Sequence, residues 1–270
     1  MAVMKKYRRE IILIALFALA CGLLVLFEYV FTFSQDETVN ALIKETLSRM
    51  LVFAALVPAA VLCGYKRVFS PRVKGRALLW CLPCLLVALA NFPFSALITG
   101  TARVERVGLL WLFALDCLAI GLLEELLFRG ILQPLFLDLL RKKGVIWAVI
   151  VNSAAFGAWH FVNLLGGADI GSTLMQVGYS FLIGAMLSAV FLRTGNIWTG
   201  VFLHALFDFG GLIVERLGTG DFQDIAFWVL TAVCGALCFA HVLLYLIKRN
   251  RNKDVGAAVD TKRDSSTGSE

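Results

Sequence analysis

The chain has 270 residues, of which 60% are hydrophobic and only 16% charged, and its mean hydropathy is +0.83. An ordinary soluble domain is about half apolar and about a quarter charged, and it still exposes about a quarter of the surface that its unfolded chain exposes. Lipid must therefore be the solvent for most of this chain, which excludes a cytosolic enzyme, a disulfide-stapled secreted module and a nucleic-acid binder. The net charge of +6 has meaning by position rather than in total.

The N-terminus carries Lys5, Lys6, Arg8 and Arg9 ahead of an apolar run that continues to Phe33. Ala18-Leu-Ala20 before Cys21 imitates a cleavage site, but the run is too long for a signal-peptide core and reads as an uncleaved anchor. A helical span needs about 20 apolar residues. Eight stretches qualify: 11–32, 46–65, 77–99, 108–128, 145–164, 173–192, 196–214 and 223–247. Their connections alternate in charge. The N-terminus, the loop from Lys66 to Arg76, the Arg141–Lys143 turn, Arg193 and the Lys248–Lys253 segment are basic. The segments around Asp36 and Glu37, Asp169, and Glu215 and Asp221 are acidic, and only Arg103 and Arg106, beside Glu105, break the alternation. Positive loops stay inside, so both termini are expected to be cytoplasmic, as an even number of spans requires.

The expectation is an all-α polytopic membrane protein of about eight transmembrane helices around an intramembrane polar cavity. Residues 1–250 would form one domain, with a motif-bearing core at about 108–210, and 251–270 a disordered cytoplasmic tail. Seven cysteines all lie in apolar stretches. Even the Cys81-Leu-Pro-Cys84 pair reads as small packing residues rather than a redox or metal motif.

Ionisable side chains inside spans are costly and point to function. Three clusters stand out. In Gly121-Leu-Leu-Glu124-Glu125-Leu-Leu-Phe128-Arg129, positions i and i+4 share a helix face. Glu125 can therefore pair with Arg129, which leaves Glu124 turned elsewhere and free to act as a base. In the fifth stretch Phe156 and His160 share a face, with Asn163 one position off it. In the seventh, His204 and Asp208 are again four apart. Two Glu, two His and one Asp on three spans are best accommodated around one shared polar cavity. The third histidine, His241, is expected to be structural; Glu28 and Asp116 read as packing or cavity-polarity residues.

These residues resemble the CPBP family, the CAAX-protease and bacteriocin-processing (Abi-type) membrane proteins, whose pattern is EExxxR, then FxxxH, then HxxxN or HxxxD. Here it reads Glu124-Glu125-xxx-Arg129, Phe156-xxx-His160 and His204-xxx-Asp208, in family order. The resemblance implies an intramembrane glutamic endopeptidase of a bacterial plasma membrane, acting on a peptide or protein, possibly a lipidated one, within membrane lipid. It implies that Glu124 and His160 activate a water, that His204 and Asp208 stabilise the oxyanion, and that Glu125 and Arg129 hold the site together, with Phe156 in support. An Asn at the last position donates a hydrogen bond, which an ionised Asp does not; Asp208 would be protonated or would orient His204. No cofactor is expected. The alternatives are a zinc peptidase using Glu124, His160 and His204 as ligands, although no HExxH is present, and a non-catalytic immunity protein or proton-coupled transporter.

The expected topology adds a condition. Glu124 lies near the cytoplasmic end of its span, whereas His160 follows the Arg141–Lys143 turn by enough residues to sit over ~20 Å deep at 1.5 Å per residue. The two meet only if the helix carrying Glu124 continues through Ile131–Leu140, bent at Pro134.

Overall fold

A computed structural model describes residue 18 and residues 22–27, 29–62 and 64–266, with side chains as far as Arg251. Residues 22–27 and 29–30 are helical; most of the expected first span, with Cys21 and Glu28, lies outside the described residues.

Local sequence starts or stops several of the helices. Helix α1, Glu37–Leu62, begins where Asp36 Oδ1 accepts the Val39 N–H at 3.0 Å, satisfying one of the free donors of the first turn. A 3-10 turn, Lys66–Phe69, leads to α2, Gly75–Trp80, α3, Leu82–Ala90, and α4, Phe94–Thr99. The expected span 77–99 is thus not one helix. Pro83 and Pro93 lack the N–H that a continuous helix needs, and the chain breaks at Cys81 and at Asn91-Phe92-Pro93.

Strand β1, Ala102–Val104, precedes α5, Leu110–Glu125, which passes into a π-helical segment, Leu126–Leu132, and then α6, Gln133–Leu139. From Val107 to Leu139 these form one 33-residue apolar rod, so the helix does carry on past Glu124. Helix α7, Val145–Trp159, ends in a 3-10 turn, His160–Gly166. Helix α8, Ile170–Thr194, is capped at its start by the Asp169 carboxylate on the Ser172 N–H (2.9 Å). It is stopped by Gly195 at φ +78°, a left-handed value that glycine alone adopts freely. Helix α9, Trp198–Leu217, starts under Asn196 Oδ1, which accepts from the Trp198 and Thr199 N–H groups. Strand β2, Gly218–Gly220, pairs antiparallel with β1, an addition to the all-α expectation. Helix α10, Ile225–Ser266, closes the chain, its backbone continuing past Arg251.

Five helical segments among the described residues are long and apolar enough to cross a membrane: Glu37–Leu62, Val107–Leu139, Val145–Gly166, Ile170–Thr194 and Ile225–Arg251. The protein is an all-α polytopic membrane protein in this sense, and the expected eight spans exceed that count. Helix α9 falls outside the five, and it carries His204, Asp208, Glu215 and Arg216.

The principal packing is α7 on α8, α5 on α9 and α1 on α5. Glycine makes two of these approaches possible. A Cβ on Gly121 would meet the Val201 carbonyl at 3.0 Å, and one on Gly157 the Val177 carbonyl at 2.8 Å. The two ends of the bundle differ in charge. Val145 N–H donates to Asn250, Arg249 to the Leu192 carbonyl and Ile197 N–H to the Val68 carbonyl. These bonds gather the basic segments around Lys66, Arg141–Lys143, Arg193 and Lys248 at one end. At the other lie the β1–β2 ribbon, Glu105 and the Asp36–Arg106 ion pair.

Candidate active site

Helix α5 places Glu124 and Glu125 in its last turn, and the π-helical segment begins at the next residue. Such wide turns occur mostly as single insertions in helices, often at functional sites. Arg129 lies within that segment and is fully buried. Its Nη1 donates to Glu125 Oε1 at 2.7 Å and its Nη2 to the Gly184 carbonyl at 3.2 Å. Its guanidinium also lies 4.3 Å from the centre of the Phe156 ring. An unpaired cation at such depth would be strongly destabilising, and the carboxylate, carbonyl and aromatic face together replace water.

Glu125 Oε1 takes a second donor. His204 Nδ1–H, on α9, donates to it at 3.0 Å, which fixes the ring and turns Nε2 toward Glu124 Oε2 (3.6 Å) and Asp208 Oδ2 (3.5 Å). Gly200 makes room for this arrangement, because a Cβ there would lie 2.5 Å from Glu125 Oε2.

Glu124 differs from its neighbour. Its Oε1 accepts from the Trp159 indole N–H at 3.2 Å, while its Oε2 is buried with no hydrogen-bond partner among the described residues. Glu125 Oε2 is likewise buried with no hydrogen-bond partner among the described residues, so the two carboxylates differ in what holds the other oxygen: Arg129 and His204 on Glu125 Oε1, the Trp159 indole on Glu124 Oε1.

His160 is half-buried at the start of its 3-10 turn, and its Nδ1 is 3.0 Å from the Phe156 carbonyl. Phe156 stands between the two imidazoles, its ring 5.3 Å from His160 and 5.7 Å from His204. Among the described residues no hydrogen bond joins His160 to Glu124 or His204. The structure thus gathers Glu124, Glu125, Arg129, His204 and Asp208 directly and brings His160 to the same aromatic wall.

Three contributors were not apparent from the motifs. Trp159 holds Glu124, Gly184 lends its carbonyl to Arg129, and Gly200 leaves space for Glu125. Trp159 stood in the second motif without a role, and the glycines gave no signal. Asp116 joins a second buried network in which Arg49 lies 3.7 Å from Asp116 and 3.2 Å from Glu45. Arg216 donates to both oxygens of Glu45, at 3.0 and 3.3 Å. His241 meets the Trp80 carbonyl at 3.1 Å and its ring at 4.5 Å. Cys84 lies 3.8 Å from Cys238 rather than beside Cys81, and both are free thiols.

The family described as type II CAAX prenyl endopeptidase Rce1-like matches residues 106–210. Every residue of the three motifs falls inside that stretch. The motif-bearing core is similar to that family over this stretch, which is less than half of the chain. No curated protein and no solved structure matches the chain. The matched stretch spans α5 to most of α9, the elements that build the buried site.

Among the described residues no group of three or more His, Cys, Asp and Glu side chains is gathered as ligands of one metal ion would be. Glu124 and His204 approach each other, but His160 is not bonded to either.

Proposed function

We propose that the chain is an intramembrane endopeptidase of glutamic type, hydrolysing a peptide bond in a hydrophobic or lipidated substrate. The observation that carries this reading is the uncommitted Glu124 Oε2, buried 3.6 Å from His204 Nε2 while the adjacent Glu125 is neutralised. A carboxylate with one oxygen held by Trp159 and the other open is suited to take a proton from water.

In the proposed reaction Glu124, assisted by His160, accepts a proton from a water as its oxygen bonds to the scissile carbonyl carbon. The carbonyl oxygen becomes an oxyanion, which a hydrogen bond from His204 Nε2 stabilises; such a donor in a site shielded from water is among the larger catalytic contributions. The C–N bond then breaks, and the proton held by Glu124 passes to the leaving amine. Asp208, close to Nε2, orients and charges His204, while Glu125 and Arg129 fix the imidazole. No step is routed through a metal. The family's prenyl-protein chemistry favours a lipidated peptide that enters from the bilayer. The clustering of basic segments at one end of the bundle supports placing that end, and with it the termini, on the cytoplasmic side.

The test is cleavage of a prenylated reporter peptide by the purified protein. Glu124→Gln is expected to lower cleavage at least about a hundredfold with unchanged insertion and folding, and a chelator is expected to have no effect. Loss with chelator and recovery with zinc would transfer Glu124, His160 and His204 to the metal reading. A parent protein that binds the reporter without cutting it would favour a non-catalytic role.

A further inference from the structure

Away from the catalytic cluster, at the basic end of the bundle, an open cavity of about 520 Å3 lies between α2, the end of α8 and the last helix. Arg193, Lys248 and Arg249 line it, together with Trp80, His241 and Tyr245, and no carboxylate lines it. Among the described residues, neither Arg193 nor Lys248 has an acidic side chain within ion-pair reach. Arg249 is held in place: its Nη1 donates to the Leu192 carbonyl at 2.9 Å and to the Tyr245 hydroxyl oxygen at 2.7 Å. Its Nε is buried without a hydrogen-bond partner among the described residues. Such a concentration of like charge is unfavourable unless an anion completes it.

The wall beside these cations is apolar. Leu244 lines the cavity and is 69% exposed, and Leu237 on the same helix and Leu79 on α2 are also exposed. The cavity thus opens onto the lipid-facing surface just where the bundle turns basic. Its ligand should carry a negative head and an apolar tail. Basic pockets between membrane helices hold anionic lipid headgroups for this reason.

We propose that this cavity binds the phosphate of an anionic membrane lipid, with Arg193, Lys248 and Arg249 as its cationic partners and the Leu244 flank against its acyl chains. The site is separate from the catalytic cluster and does not depend on its chemistry.

The experiment measures the Tm of the full-length protein in detergent micelles carrying phosphatidylglycerol or phosphatidylcholine. Phosphatidylglycerol is expected to raise Tm by roughly 3–6 °C relative to phosphatidylcholine, at about tenfold over its Kd. The rise should vanish in Arg193→Gln/Lys248→Gln, whose Tm in phosphatidylcholine should not fall below the parent's, because neither side chain has an ion-pair partner among the described residues. If the double variant folds poorly, each single variant should lose about half of the rise. Arg72→Gln/Lys74→Gln, at the same basic end but outside the cavity, should keep it. An equal rise in the parent and the Arg193/Lys248 variants would overturn the proposal, as would loss in the Arg72/Lys74 control or a matching rise with inorganic phosphate alone.

Discussion

Two ionic clusters lie within the apolar bundle, about two helical turns apart along both α5 and α9, and their charges are combined differently. The cluster of Glu45, Arg49, Asp116 and Arg216 sets two carboxylates against two guanidinium groups. The cluster of Glu124, Glu125, Arg129, His204 and Asp208 sets three carboxylates against one guanidinium and one imidazole. Even with His204 protonated, one negative charge remains over. Charges buried in lipid are tolerated when paired, so the balanced cluster accounts for itself as a clamp between helices. The unbalanced one does not: Glu124 and Glu125 each keep one oxygen without a donor among the described residues, and only Glu125 has an arginine partner. On the proposed reading, structure is held where charges cancel, and chemistry is available where they do not.

The largest effect expected from this contrast comes from breaking the fully buried pair. Glu125→Ala and Arg129→Ala should each lower unfolding stability by about 3–5 kcal/mol, because the first leaves Arg129 without a carboxylate and the second leaves Glu125 with His204 alone, both at zero exposure, and both should abolish cleavage. Full thermal stability in either variant would contradict the pairing. Next is the balanced cluster. Arg216→Ala removes two hydrogen bonds to Glu45 and should reduce stability by roughly 1–3 kcal/mol, with cleavage per folded molecule within a few-fold of the parent. A selective loss of activity there would erase the distinction between the clusters.

Asp208→Asn tests the surplus itself. If Asp208 serves to orient and charge His204 from 3.5 Å, the amide should lower cleavage by about tenfold or less, with little change in Tm. Increased cleavage would show that a hydrogen-bond donor is wanted at that position. The smallest effect belongs to the solvent-exposed Asp36–Arg106 pair outside the spans. Arg106 holds the Asp36 carboxyl at about 2, below its ordinary 3.8. A depressed carboxylate stabilises above its unfolded pKa and loses that contribution as pH falls through the folded one. Any Tm advantage of the parent over Asp36→Asn should therefore be constant above about pH 5 and fade between pH 4 and pH 2.

The parts of the site that the sequence revealed are those set by helical spacing. Glu125 and Arg129 meet because they are four apart, His204 lies near Asp208 for the same reason, and Glu124 was left without an arginine by the same rotation. What spacing cannot reveal is contact between helices. The Trp159 bond to Glu124, the His204 bond to Glu125 and the whole Arg49–Asp116–Glu45–Arg216 network depend on which faces α1, α5, α7 and α9 turn to one another. The same limit applies to the fold. Hydropathy averages across Pro83 and Pro93, so three short helices read as one span. Gly218-Thr-Gly220 has no alternating pattern to mark it as a strand. The continuation of the Glu124 helix to Leu139 was required by depth and is present in the 33-residue rod.

The most direct test of the central claim is hydrolysis of the reporter peptide in 18O-labelled water by the parent and by Glu124→Gln, with Tm measured for both. The account predicts one 18O in the new carboxyl terminus from the parent, and no product from a variant that melts at the parent's temperature. Cleavage by Glu124→Gln within a few-fold of the parent would contradict it.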